Sequence, residues 1–366
     1  MNYLPYDIQN GTHRTAQEEW MPHEPSAPEF TEWHYFTAPM TGENGHTYFL
    51  FLCSFNFSAE KNRAEFPVPT PAHSDVYLTL AHLSDYSDGL FLNDAFPALP
   101  RHGTAFDPEQ NALVLRSMMP LPRKDVFFQY RGDRVLLRSQ NGAFSCELAC
   151  SGADRVMWMQ DHLQKEGFIQ EGTETERSFY YSLPELPFTG WIEYTGKDGK
   201  PHRENVSGYG WIDRQWGDFT TKSWEWTSFR FDDGDRVNTY HFGNGYKVIT
   251  YQKPDGTTQS FDSFKVVPTG YAMTPQNKIT YSFGWEYELP VKDHYYRLCP
   301  LSDQDTQESV GNNFFEGLSR ILDRSGRQVG WAVTESMDIR VMHNGPDDPK
   351  ETIRRPLPGG EAGGAL

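Results

Sequence analysis

The sequence predicts an all-β protein whose antiparallel hairpins close into barrels or stack as sandwiches. Three observations carry that reading. Turn dipeptides recur along the chain, at Asn44-Gly45, Asp88-Gly89, Asn141-Gly142, Asp198-Gly199, Asp233-Gly234, Asn244-Gly245 and Asp255-Gly256. Each can supply the positive φ that a tight hairpin demands. The runs between them are strand-length and rich in β-branched and aromatic residues. Stretches of 3.6-residue period are scarce, so helix is expected in less than about 15 % of residues. Nothing alternates strand with helix, which excludes a nucleotide-binding α/β sheet.

Taken in order, residues 46–57, 76–83, 134–138 and 247–252 read as strands. Residues 153–165 form the best helical candidate, with a modest apolar stripe. Residues 1–19 read as a disordered or extended N-terminal segment, and 346–366, ending Pro-Gly-Gly-Glu-Ala-Gly-Gly-Ala-Leu, as a flexible tail. At 366 residues the chain has room for about two domains.

The composition narrows the function. Fifty acidic against 33 basic residues give a net charge of −17. That argues against a nucleic-acid or anionic-membrane binder, which needs a basic face. Aromatic residues make up 15 % of the chain against 37 % for all hydrophobics, so the core leans on large rings. No apolar run approaches the ~20 residues of a membrane-spanning helix. The N-terminus lacks the basic and apolar regions of a signal peptide. Cys53, Cys146, Cys150 and Cys299 match no CxxC pair and read as thiols of a reducing compartment, so a cytoplasmic location is expected. GxSxG, HExxH, P-loop and GxGxxG signatures are absent. No cofactor and no metal are expected; the chemistry falls to isolated side chains in a shaped cavity.

The segment Val206-Ser-Gly-Tyr-Gly-Trp-Ile-Asp-Arg-Gln-Trp-Gly-Asp-Phe219 is the most informative. As a strand, it places Tyr209, Trp211, Asp213 and Gln215 on one face and Ile212, Arg214 and Trp216 on the other. If the first face is internal, Asp213 is desolvated, its pKa rises, and it can donate a proton. The alternative is that Asp213 pairs with Arg214 or another arginine and closes a barrel end.

Several pieces then resemble one family, in order along residues 31–340. They are Glu32-Trp-His-Tyr-Phe36, Ala81-His-Leu-Ser-Asp85, Tyr180-Tyr-Ser-Leu183, the G-x-x-W-x-D-R-x-W-G run Gly208 to Gly217, Trp224-Glu-Trp226, and Phe314-Phe-Glu-Gly317 with Gly330 and Glu335. Together they resemble the lipocalin-like superfamily of AttH-type proteins and carotenoid 1,2-hydratases, to which kievitone hydratase and several Diels–Alderases are related. The resemblance implies two tandem lipocalin-like antiparallel β-barrels, in residues 20–219 and 220–345, with a cavity in and beside them for apolar, polyene or terpenoid molecules. It also implies that Asp213 is a proton donor. Trp211 stands where the hydratases carry a tyrosine, a departure shared with the AttH branch, whose members are labelled hydrolases.

Asp213, Tyr209 and His82 are thus the catalytic candidates. His82 reads either as a cavity donor or base, or as a satisfied core histidine. Trp33, Trp211, Trp216, Trp224 and Trp226 either offer π faces to a developing cation or plug the barrels. Gln215 either orients a water or is exposed. Glu316 and Glu335 match family positions, or bind backbone amides or arginine. The function expected is a cofactor-independent enzyme that hydrates an alkene in a small, mostly apolar molecule, with Asp213 as acid. A cyclase or Diels–Alderase using the same cavity, a non-catalytic binding protein and an AttH-type hydrolase are the alternatives. The expected partner is that small unsaturated substrate; the sequence does not set the oligomeric state.

Overall fold

The structure, a computed structural model, describes residues 3–8, 12–58, 76–100, 105–117, 122–160, 166–170, 177–219, 224–243, 245–292, 294–309 and 312–337. The expected tail at 346–366 lies outside them. Among the described residues there is no α-helix, only one 3-10 turn at Glu18–Trp20. None of the helical segments is long and apolar enough to cross a membrane.

Ten strands close into an antiparallel barrel. Their order is Arg177–Thr195, Pro201–Asp218, Phe30–Gly42, Thr47–Phe57, Tyr77–Asp85, Leu90–Pro100, Ala112–Ser117, Asp125–Arg131, Arg134–Gln140 and Phe144–Cys150, which pairs back onto the first. Six of the seven turn dipeptides serve as expected, with Gly45, Gly89, Gly199, Gly234, Gly245 and Gly256 at positive φ; Gly142 is not, and its turn is held instead by Asn141 Oδ1 accepting from the Ala143 and Phe144 amides. A second sheet, open and curled into a half-barrel, is centred on Trp224–Phe231, Gln328–Met337 and Asn312–Leu322. The protein is therefore all-β, with a two-barrel lipocalin-like architecture.

Residues 153–165 are not the expected helix where they are described. Met157–Trp158 is a short strand paired with Tyr181 and Ser182; residues 161–165 lie outside the described part. Tertiary pairing overrides a weak local period here, because Met157 and Met159 both bury completely against neighbouring strands. The described residues of the N-terminal segment pack against the first barrel. Ile8, Ala16 and Trp20 bury in the first barrel, and the Trp20 indole donates to Phe128 O at 3.1 Å. Three apolar side chains with a place to bury hold it down.

Strand alternation builds three cores. Phe36, Leu50, Leu83 and Ile212 point into the first barrel, and Phe229, Trp285, Tyr287 and Phe315 into the second. Between the barrels lies a third core, where Trp33, Tyr35, Phe51 and Tyr180 of the first sheet meet Trp226, Tyr240, Phe314 and Val333 of the second. Strands buried on both faces need rings on both faces, which accounts for the aromatic content.

Candidate active site between the two sheets

On the strand Pro201–Asp218, Ile212, Arg214 and Trp216 face the first barrel's interior. Trp211, Asp213 and Gln215 face the inter-sheet core. Arg214 is fully buried. It binds Glu32 Oε1 at 2.5 Å and the carbonyls of Trp33 and Met21. Asp213 has no arginine partner among the described residues. Strand alternation separates the two charges, and the pairing of Asp213 with Arg214 does not occur.

Asp213 is 4 % exposed and accepts three hydrogen bonds. The Trp211 indole and the Ser182 hydroxyl donate to Oδ1 at 2.7 and 2.5 Å, and the Tyr180 hydroxyl donates to Oδ2 at 2.6 Å. Ser182 stands directly across from Asp213 in the ladder, and Tyr180 across from Gln215. The second sheet completes the cluster. The Trp226 indole and Asn238 Nδ2 donate to the Tyr180 hydroxyl at 2.9 and 2.7 Å, and Asn238 Nδ2 also reaches Ser182 Oγ at 3.2 Å. Asn238 Oδ1 is buried without a hydrogen-bond partner among the described residues. Burial pushes the Asp213 carboxyl up to about 7, and the three donors pull it back only partly.

Two more carboxyls face the same core. Glu316 and Glu335 are direct cross-strand partners, the first fully buried and the second half-buried. Tyr35 donates to Glu316 at 2.7 Å and the Trp224 indole to Glu335 at 2.6 Å. Burial, and for Glu316 its neighbour's charge, raise both: Glu335 to about 7 and Glu316 well above the usual carboxylate range. Like charges this close cannot both ionise, so the pair holds a proton.

Asp213, Glu335, Tyr180, Trp33, Trp224 and Trp226 are among the residues lining one pocket. Its space open to the centre of a water-sized sphere is about 20 Å³. That is close to the ~10–15 Å³ a single water needs. A larger guest must part the rings, of which Trp33 and Trp224 lie 6.3 Å apart and near parallel.

The remaining candidates are dispersed. Tyr209 is 40 % exposed at the rim, under the Arg230 guanidinium. Four residues of strand, about 13 Å, separate it from Asp213, so it forms no part of that carboxyl's wall. Trp216 stacks on His23 inside the first barrel, 4.7 Å between centroids, and faces away from the pocket. Gln215 is buried rather than exposed, and donates to Ser178 Oγ at 2.8 Å. His82 is fully buried beyond Phe51 and accepts from Gln307 Nε2 at 2.9 Å. Burial holds its pKa down to about 3, so it stays neutral. Sequence reasoning singled out neither Tyr35, Tyr180 and Ser182 as site residues nor Asn238. Three of these four sit inside quoted motif pieces, at Glu32 to Phe36 and Tyr180 to Leu183, which was the available signal. Asn238 had none.

One group among the described residues, His46, Asp85 and Asp88, brings three potential metal-ligand atoms within 4.8 Å of one another. It lies at a hairpin end, where His46 Nδ1 and Asp85 Oδ2 already bond at 2.9 Å and Asp85 Oδ1 caps the Ser87 and Asp88 amides.

A closed barrel packed against a half-barrel, with a buried acid facing aromatic rings between them, defines a lipocalin-like protein with a fold suited to binding a small molecule. The AttH-like family model matches residues 17–335, and the chain belongs to that family. An AttH protein of Nitrosomonas europaea has a similar structure, with a TM-score of 0.69 and 19 % identity over 92 % of this chain and 99 % of that one. Kievitone hydratase from Nectria haematococca is similar too, with a TM-score of 0.62 and 12 % identity over 90 % of this chain and 94 % of that one. At these identities the likeness shows the shared fold. A comparison with curated protein sequences finds no match.

Proposed function

We propose that the protein is a hydratase-like enzyme that adds water across an alkene of a small, mostly apolar molecule of terpenoid, polyene or polyketide type. The observation that carries this is Asp213, a buried carboxyl with a pKa near 7 on the wall of an aromatic pocket. A hydratase among proteins of the same fold supports it. In the reaction, the Asp213 O–H bond breaks and its proton forms a C–H bond with one alkene carbon, using the π electrons. The other carbon becomes a cation, and the faces of Trp33, Trp224 and Trp226 stabilise it. A water held in the pocket attacks that cation, and ionised Glu335 takes the proton the water loses. The proton returns to Asp213 before the next turnover.

Two features weigh against a hydrolase. No histidine is among the described residues lining the pocket, and burial raises the Cys53 thiol that does line it well above its ordinary pKa, away from a thiolate nucleophile. The test is incubation with a panel of terpenoid, polyene and prenylated aromatic alkenes in H₂¹⁸O, read by mass spectrometry. Products carrying one added labelled water are expected, and Asp213→Asn should slow their formation by about 100-fold or more. A folded Asp213→Asn protein with the wild-type rate would show Asp213 to be structural. Unlabelled isomeric products would point to cyclisation instead.

A further inference from the structure

A second cavity meets the site at Trp211. The indole N–H of Trp211 holds Asp213, while Trp211, Tyr209, Ser228, Arg230, Trp331 and Val333 are among the residues lining a small chamber next to it. That chamber shares Pro39, Tyr209, Arg230, Leu318 and Trp331 with an open groove of about 490 Å³ running between the two sheets, to which Pro187 adds apolar wall. The size falls within the ~300–1,000 Å³ of small-molecule sites.

The groove holds a cation whose bonding is incomplete. The Arg230 guanidinium lies over the Tyr209 ring, 3.6 Å from its centroid, and its Nε is buried with no hydrogen-bond partner among the described residues. The carboxylate beside it, Glu185, is 3.5 Å from Arg230 Nη2. Glu185 is already engaged by Arg236, whose Nε and Nη2 both bind Oε2. Arg155, whose charge also acts on Arg236, is bound to Gln252 and to the carbonyls of Gly234 and Lys253. Glu185 is thus shared by Arg230 and Arg236, in a chain of net charge −17.

We propose that Arg230 anchors the headgroup of an amphipathic carboxylic acid whose apolar body lies along Pro39, Pro187, Leu318 and Trp331. The planar guanidinium fork matches a carboxylate, and the Tyr209 ring beneath it leaves the guanidinium edge for hydrogen bonding. A singly charged head suits one cation with Glu185 close by; a phosphate would face that glutamate with more charge. Continuity with the Trp211 chamber turns the far end of such a molecule toward Asp213. Only that orientation rests on the hydratase reading; the binding does not.

The experiment is a fluorescence titration with cis-parinaric acid, a polyene fatty acid, and with its methyl ester. Neither probe has to be turned over, so the result is independent of whether Asp213 acts as an acid. The wild-type protein should bind the acid at least about tenfold more tightly than the ester, the scale of one charge-assisted hydrogen bond. Arg230→Gln should bring the two affinities together, and Arg230→Lys should keep part of the preference, with thermal melts reporting the fold of each variant. Equal affinity of the wild-type protein for acid and ester, or binding of neither, overturns the proposal. So does a folded Arg230→Gln protein that still prefers the acid.

Discussion

The chemistry of the site turns on a competition at one residue. Burial favours neutral Asp213, while the Trp211 indole and the Ser182 and Tyr180 hydroxyls favour its anion. Replacing Trp211 with phenylalanine keeps an apolar ring and removes one donor to the charged form. The Asp213 pKa should therefore rise, and the alkaline limb of the pH–rate profile should move to higher pH; a limb that stays put or moves down would contradict this balance. The sequence made part of this arrangement legible. Trp211 and Asp213 share a face because strand alternation is local, and Arg214 falls on the other face for the same reason. Tyr180, Ser182 and Asn238 were not legible as site residues, because ladder register and sheet packing bring them in from distant segments. Tyr209 shows the limit of the same rule, since residues on one strand face still separate by about 3.3 Å per position.

At the scale of the strand pair, the site depends on close approach of Arg177–Thr195 and Pro201–Asp218. Gly217 lies opposite Ser178 in that ladder. A Cβ there would meet the Arg177 carbonyl oxygen at 2.3 Å and the Ser178 Cα at 2.6 Å, backbone atoms that cannot swing aside. Gly217→Ala should therefore cost about 1–3 kcal/mol of stability, the range for overpacking, measured by urea unfolding. An unchanged midpoint would show that the strands have slack. The two sheets are also clasped away from the pocket. Asp305 accepts from Ser84 Oγ at 2.5 Å and from the Tyr86 hydroxyl at 2.6 Å, and Gln307 donates to His82. His82 thus joins the sheets through Nδ1. The hairpins that build these strands were readable from their Asn-Gly and Asp-Gly turns, which set local backbone geometry. The pairing of one sheet with another was not, because nothing local encodes it.

For the whole molecule, buried ionisable groups give stability a pH dependence whose sign follows from the direction of each shift. Burial raises Asp213, Asp305 and Glu335 to about 7. Between their ordinary values near 4 and 7, the folded protein holds protons that the unfolded chain has released. Their contribution is therefore fully present below about pH 4 and is lost as pH rises through 7. His34 and His82, held down to about 3, and Glu32, held down to about 2, act oppositely. They contribute above their ordinary values and lose that contribution as pH falls toward 3 and 2. Above about pH 6.5, the ordinary histidine value, the opposing gain from the two histidines fades within about a unit, and the three carboxyls outweigh it. Thermal stability should fall between pH 6.5 and 8, by up to about 1.4 kcal/mol per pH unit for each proton involved, and Asp213→Asn should lessen that fall. A melting temperature that is flat or rising over this interval would show that these acids are ionised in the folded protein.

The central claim is that Asp213 holds a proton near neutral pH, and infrared difference spectroscopy of wild type against Asp213→Asn reads that proton directly. The subtraction removes the other acids, Asp305, Glu316 and Glu335, and leaves the carboxyl C=O band of Asp213. The account predicts a band present at pH 5.5 that titrates away with a midpoint near 7, in the absence of substrate. A carboxylate signature already complete at pH 5.5 would contradict it, because an ionised Asp213 has no proton to give to an alkene.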